Sequence, residues 1–225
     1  MLAATPAAGA RTYPPPPSFA QAYVAHLVAP APVRSSPRAA TTQRVLGTRA
    51  AWGGGPVGLL VLDSATDAHG AVWVKVRLPS RPNDASGWIP AGRAEIVPTP
   101  WRVVLDLSER RMVVYRAGEP MKVLRAVVGK PSTPTPTGLF AISERIRQEP
   151  GSILGPWALH LTAHSDVFEN FGGGPGRVAI HGRAGSLLAD PLGSAASHGC
   201  IRVDSRAVIW MARRLREGTP VLVQP

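Results

Sequence analysis

The sequence holds one cysteine, Cys200, in 225 residues. That excludes an internal disulfide framework and a cysteine-only zinc site. It leaves the compartment open, because an exported chain can also carry a single thiol. Lysine is nearly absent, occurring only at Lys75, Lys122 and Lys130, so the formal charge of +11 comes almost wholly from arginine. A basic chain invites an anionic partner such as nucleic acid, an acidic membrane or an acidic wall polymer. The arginines are scattered, however, and no tight basic run with interleaved aromatics occurs, so nucleic acid is not expected as a partner. Heavy use of Ala, Gly and Pro points to a GC-rich coding bias as a sufficient source of the charge. Long apolar runs are missing too. No stretch approaches the ~18 apolar residues needed to cross a bilayer, so no transmembrane segment is expected. There is also no His-Glu-x-x-His pair of the zinc-peptidase kind.

What is present falls into three stretches. Residues 1–43 are rich in Ala, Pro, Ser and Thr, with Pro14 to Pro17 in a row. Proline at that density removes backbone donors and favours extended, solvated chain, which predicts a linker or tether. The start, MLAATPAAGARTYPPPP, does not show the charged and apolar regions of a signal peptide, so export is expected to rely on something not visible in this stretch or on a different start. Residues 45–98 read as a small β unit. VWVKVRLP alternates Val72, Val74, Val76 and Leu78 against Trp73, Lys75 and Arg77, the period-two pattern of a half-buried strand. GLLVLD precedes it, GWIPAGRAEIV follows, and Gly70 and Pro82-Asn83-Asp84 supply turns. The segment WVKVRLPSRPNDASGWIPAGRAEIV resembles bacterial SH3-like domains, which implies a small barrel used for wall or peptide binding or as a spacer.

After Pro98-Thr99-Pro100, over residues 101–225, WRVVLDL, MVVYRA, VLRAVVG and LFAISERI predict four sequential strands. In the loop GKPSTPTPTG, Pro134 and Pro136 predict stiffness. SRAVIWMARRLREG predicts a helix with Asp204 or Ser205 as its cap and Gly218 at its stop, and VLV a closing strand. The fold class expected is mainly β, with one helix just after the cysteine loop.

Cys200 lies in IHGRAGSLLADPLGSAASHGCIRV, residues 180–203. Four chemistries compete for it. As a metal ligand it could join His181 and His198, and His160 with His164 adds a pair four residues apart. WALHLTAH, however, alternates as a strand, and four residues along a strand span about 13 Å, too far for two imidazoles to share one zinc. No metal or other cofactor is therefore expected. Thiol–disulfide exchange lacks a second cysteine. A buried packing cysteine has no need of the polar, glycine-bearing Ser-His-Gly-Cys setting. A nucleophile explains more. The thiol then needs a base or a positive neighbour, since its free pKa near 8.5 leaves it mostly protonated at neutral pH. His181 comes from a separate segment and can face the sulfur across a cleft, whereas His198 is two residues away along the local backbone. Gly199 and Cys200 offer consecutive N–H groups for an oxyanion hole. No Asp or Asn is placed to orient the base, which leaves a backbone carbonyl for that task.

The combination of IHG with a downstream SHGCIRV, and of TPTG at Thr135–Gly138 upstream, resembles the L,D-transpeptidase catalytic domain, also called the YkuD domain, over roughly Trp101 to Pro225. The resemblance implies Cys200 as nucleophile and His181 as proton donor and acceptor. It implies that the Gly182 carbonyl orients the imidazole, that His198 and Gly199 shape the loop and the oxyanion hole, and that Ser197 and Arg202 support the site or hold substrate. The implied substrates are peptidoglycan stem peptides, a donor tetrapeptide and an acceptor amine, joined in a 3→3 cross-link through an acyl-thioester. Carbapenem acylation of Cys200, an extracytoplasmic location in the cell wall or periplasm, and a monomer are expected with it. Water as acceptor would make an L,D-carboxypeptidase, and an amine on a wall protein a protein-attaching acyltransferase. A non-catalytic wall-binding protein and a sortase-like enzyme are the remaining alternatives. Intact His181 and Cys200 argue against the first, and the closeness of Arg202 to Cys200 against the second.

Overall fold

Strands are the main regular element of the molecule, which the computed structural model describes over residues 14–225. Seven strands come first: β1 (Ala22–Leu27), β2 (Ala31–Val33), β3 (Arg44–Leu46), β4 (Gly58–Thr66), β5 (Val72–Arg77), β6 (Ser86–Pro90) and β7 (Ala94–Thr99). Five of them form a sheet in the order β6-β5-β4-β1-β7. The β2–β3 hairpin attaches through a bridge between Arg34 and Trp88. Inward-facing Leu27, Val33, Val61, Val74, Val76 and Ile89 are fully or almost fully buried and make its core. Each such side chain contributes on the order of 1.5–3 kcal/mol relative to exposure.

The tether expected over residues 1–43 is corrected where it can be described; residues 1–13 lie outside the described residues. AYVAHL forms β1, which lies inside the sheet with β4 on one side and β7 on the other. The prolines flank this hexapeptide and do not interrupt it, and Ala22, Val24, Ala25 and Leu27 are buried. Proline density around a short apolar run therefore did not prevent a central strand.

The second unit holds β8 (Trp101–Asp106), β9 (Arg111–Arg116), β10 (Glu119–Arg125), β11 (Val128–Gly129), β12 (Gly138–Arg147), β13 (Trp157–His164), β14 (Arg177–His181), β15 (Ala195–Ser197), β16 (Ile201–Arg202), helix α1 (Ser205–Ala212) and β17 (Pro220–Gln224). Eight strands run in the order β10-β9-β8-β17-β12-β13-β14-β16. The four strands expected in succession are not all neighbours. The closing strand β17 inserts between β8, to which it is parallel, and β12. VLRAVVG divides into β10 and β11, and β11 pairs with β15 instead of joining the large sheet. The helix is shorter than expected. Asp204 caps it, its carboxylate accepting from Arg206 N–H at 2.8 Å, and it ends at Ala212. Residues 213–218 return as a turn, and the place a Gly218 Cβ would occupy is taken by Val24 of β1, 2.3 Å away. Gly218 thus serves the junction between the units and not the helix stop. Ala22, Leu60 and Ala141 form a small buried cluster at that same junction. Arg102 donates to the Ser18 carbonyl at 2.6 Å nearby.

Gly129, at the end of β11, marks another close approach. A Cβ there would meet Thr133 O and Thr135 N at 2.4 Å, both backbone atoms that cannot swing away. Gly129→Ala is expected to destabilise the protein by about 1–3 kcal/mol in urea titration, the range of an overpacked site. Gly92→Ala, where the added methyl meets nothing within 4 Å, is expected to stay within about 0.5 kcal/mol of the parent.

Candidate active site

Strand β14 ends on the histidine of IHG, and β16 begins just after the cysteine of SHGC. The two strands pair in parallel, Ile180 with Ile201 and His181 with Arg202, and Val203 N–H extends the pairing to His181 O at 3.0 Å. Fully buried Ile180 and Ile201 anchor the pair in the core. Helix α1 packs against β13 and β14, and its first residue, Ser205, holds Arg183 through both N–H (3.1 Å) and carbonyl (2.8 Å). Cys200 and His181 consequently line one cavity of ≈ 330 Å³ together with His198, Arg202, Phe168 and Phe171.

His181 is 2% exposed, and its Nδ1 lies 2.7 Å from Gly182 O. A carbonyl can only accept, so the neutral ring carries its proton on Nδ1 and keeps a lone pair on Nε2. Burial pushes the His181 pKa down to about 4, with the Arg202 charge acting in the same direction and the carbonyls of Gly182 and Leu154 opposing. Burial also pushes the Cys200 thiol above its ordinary value, against the smaller effects of the Ala179 N–H and Arg202. These shifts favour an uncharged imidazole and an uncharged thiol lining the same cavity. The arrangement can pass one proton from sulfur to Nε2 as the sulfur attacks, and return it to a leaving group.

The loop before Cys200 is tied down from one side by the stiff threonine–proline segment. Thr133 Oγ donates to Ser197 O at 3.2 Å and Thr135 Oγ to Gly199 O at 2.9 Å, while Lys130 N–H donates to Ser197 O at 3.0 Å. Ser197, fully buried, donates from Oγ to Cys200 O at 2.5 Å and accepts from Gly199 N–H at 3.1 Å. That last bond corrects the expected oxyanion hole. The Gly199 N–H is engaged by Ser197, which leaves the Cys200 N–H as the donor of that pair without a partner among the described residues.

His198 is exposed and its ring lies against Phe171 (5.7 Å) and Phe168 (6.2 Å), on the rim of the cavity. Arg202 is 6% exposed and its guanidinium is paired with Asp190. Its positive charge is thus already matched by a carboxylate, so it first ties the segment around Asp190 to β16 instead of standing open for a substrate carboxylate. His160 and His164 both fall on β13, as the alternation predicts. Sequence reasoning missed Thr133, Asp190, Phe168, Phe171 and Arg177, whose carbonyl lies 4.0 Å from Cys200 Sγ. The TPTG motif pointed at Thr135 without its role, and nothing in the stretch 165–176 marks its two phenylalanines as cavity-lining.

Next to this pair, burial pushes His160 down to about 3, helped by the charges of Arg177 and His181. The folded state refuses protons that the unfolded chain takes up below its ordinary value of 6.5. Stability contributed by the neutral rings is thus complete above pH 6.5 and declines as pH falls from there towards 4 and 3. Melting temperature measured across that window is expected to drop steadily, and His160→Asn is expected to flatten the drop.

Three comparisons bear on this geometry. The family model described as "YkuD: L,D-transpeptidase catalytic domain" matches residues 100–223. Proteins named for L,D-transpeptidase YkuD in Bacillus licheniformis and Bacillus subtilis strain 168 are 30% and 28% identical to this chain. The first match covers 66% of this chain and 84% of that relative, the second 65% and 83%. Among solved structures, an L,D-transpeptidase from Mycobacterium tuberculosis H37Rv superposes with a TM-score of 0.50 at 17% identity, covering 75% of this chain and 90% of that one. With more than half its length matched by the family model and a 30% identical relative covered over most of its length, the chain belongs to the L,D-transpeptidase (YkuD) catalytic-domain family.

Proposed function

We propose that this protein cross-links peptidoglycan stems through an acyl-enzyme on Cys200. The observation that carries the reading is the His181 Nδ1–Gly182 O bond at the cavity that also holds Cys200, which leaves Nε2 as the basic nitrogen of the ring. Cys200 sulfur attacks the carbonyl between the third residue of a donor tetrapeptide and its terminal D-Ala, while the thiol proton passes to His181 Nε2. The Cys200 N–H donates to the developing oxyanion. Collapse breaks the C–N bond, His181 returns the proton to the departing amine, and D-Ala leaves. The thioester then holds the acyl group. The side-chain amine of the third residue of a second stem attacks it, His181 takes the amine proton, and the thiol is restored as a 3→3 amide forms. The sum is one amide exchanged for another, so no oxidant, metal or cofactor enters the balance.

The location that suits this chemistry is outside the cytoplasmic membrane, where mature stems are found. The scattered arginine charge suits an anionic sacculus. The SH3-like resemblance of residues 73–97 supports a wall-facing role for the first unit, and the enzyme acts as a monomer. Ser197 and Gly199 hold the loop, while His198 shapes the rim with the two phenylalanines.

Intact-mass measurement after carbapenem treatment tests the nucleophile. The parent protein is expected to gain one acyl adduct and Cys200→Ala none; an unchanged adduct on Cys200→Ala would overturn the assignment. Product analysis with disaccharide-tetrapeptide tests the base and the acceptor together. His181→Ala is expected to lose at least about a hundredfold in dimer formation, the lower range for a positioned acid–base group. Retained dimer formation would remove His181 from the mechanism, and tripeptide release without dimer would replace the amine acceptor with water.

A further inference from the structure

The turn between β5 and β6 leaves its own sheet and reaches the second unit. Arg81 donates from one nitrogen to Ser165 O at 2.7 Å and from another to Phe168 O at 2.8 Å and Pro175 O at 3.4 Å. Two residues on, Asn83 accepts from His164 N–H at 2.7 Å and donates to His164 O at 2.8 Å. It pairs with the end of β13 as a strand residue would, and adds a bond to Asp166 at 2.8 Å. These contacts fall on the end of β13 and on the loop that follows it, residues 165–176.

That loop is closed at its base by Ser165 N–H donating to Gly176 O at 2.7 Å. Its tip is exposed, and the Ser165 hydroxyl accepts from Val167 and Phe168 N–H inside it. Its two phenylalanines lie 5.2 Å apart and, with His198, form the aromatic rim of the cavity that holds Cys200. A second attachment reaches the same wall from the first unit. Gly53 N–H donates to Glu144 at 2.6 Å, Glu144 pairs with Arg177 at 3.0 Å, and Trp52 lies 4.8 Å from the Arg177 guanidinium. Arg177 is the first residue of β14 after the loop, and its carbonyl lies beside the Cys200 sulfur.

We infer that the first unit completes the donor site: Arg81 and Asn83 are positioning residues that hold Phe168 and Phe171 where a stem peptide lies against them on its way to Cys200. One guanidinium collects carbonyls from both ends of the loop, so the rim is placed by a side chain of the other unit and not by its own backbone alone. The inference rests on the transpeptidase reading above for the identity of the peptide, and on nothing beyond the contacts for the clamp itself. An aromatic rim offers area and ring faces to the backbone and methyl groups of an Ala-containing stem. It contributes to binding and does not enter the bond-making step.

The test uses the full chain with Arg81→Ala, Arg81→Lys and Asn83→Ala, beside Phe168→Ala. Arg81→Ala is expected to raise the KM for the donor tetrapeptide about tenfold, the scale of losing charge-assisted bonds that hold a wall, with kcat within about twofold. Arg81→Lys, which keeps the charge but not the fork, is expected to recover only part of the KM. Alkylation of Cys200 by iodoacetamide, which needs no rim, is expected to keep the parent rate. Combining Arg81→Ala with Phe168→Ala is expected to cost no more than Phe168→Ala alone. Hydrogen exchange gives a readout independent of turnover: amides of residues 165–176 are expected to exchange faster in Arg81→Ala while those of β8 and β17 do not change. Unchanged exchange in the loop would overturn the clamp, and faster exchange with an unchanged KM would overturn its role in donor binding. A parent protein that turns over no stem peptide would instead sink the transpeptidase reading, and the exchange result would still decide the clamp.

Discussion

The site depends on one short piece of parallel pairing, Ile180 with Ile201 and His181 with Arg202. It brings together two sequence segments separated by a loop and places a buried imidazole in the same cavity as a thiol that lies one residue before its strand. Everything else preserves that pairing. Ile180 and Ile201 sit in the main core with Leu159, Leu161 and Met211, so a slip of one residue would turn His181 and Cys200 away from the cavity and expose the isoleucines. Burial then acts on the protonation state: it lowers the His181 pKa and raises that of the Cys200 thiol, which favours an uncharged pair. In the proposed reaction the proton leaves sulfur for Nε2 as the carbonyl is attacked, so charge develops only then. Developing charge in a site shielded from water is where a directed N–H is most effective.

Two further parts of the chain hold the cavity in shape. The threonine–proline loop fastens the carbonyls of Ser197 and Gly199 from behind, and its prolines reduce the conformations it must give up to do so. The first unit reaches the opposite wall through Arg81 and Asn83 and supports Arg177 through Trp52 and Gly53. The loop that carries Cys200 is braced inside its own unit and the aromatic rim across a boundary. Disturbance of the boundary should therefore alter how a peptide is held before it alters how the thiol reacts.

The strands with clean alternation, such as VWVKVR, WRVVLDL and WALHLTAH, could be read from the chain, as could the meeting of the IHG and SHGC segments, whose His181 and Cys200 line one cavity with the Gly182 carbonyl on the ring. The insertion of β17 between β8 and β12 could not, since it is a long-range pairing with no local signature. AYVAHL was hidden by the prolines around it, which describe the flanks and not the strand. The engagement of Gly199 N–H by Ser197 and of Arg202 by Asp190 required side-chain positions. The clamp by Arg81 and Asn83 was the least visible of all: a Pro-Asn-Asp turn reads only as a turn until the loop it grips is seen beside it.

The most direct test of the account is the pH dependence of Cys200 alkylation in the substrate-free protein. An uncharged thiol sharing the cavity with a neutral imidazole predicts a rate that climbs through the neutral range and levels only above the ordinary thiol value. A high plateau between about pH 5 and 8, the mark of a resident thiolate–imidazolium pair, would contradict it.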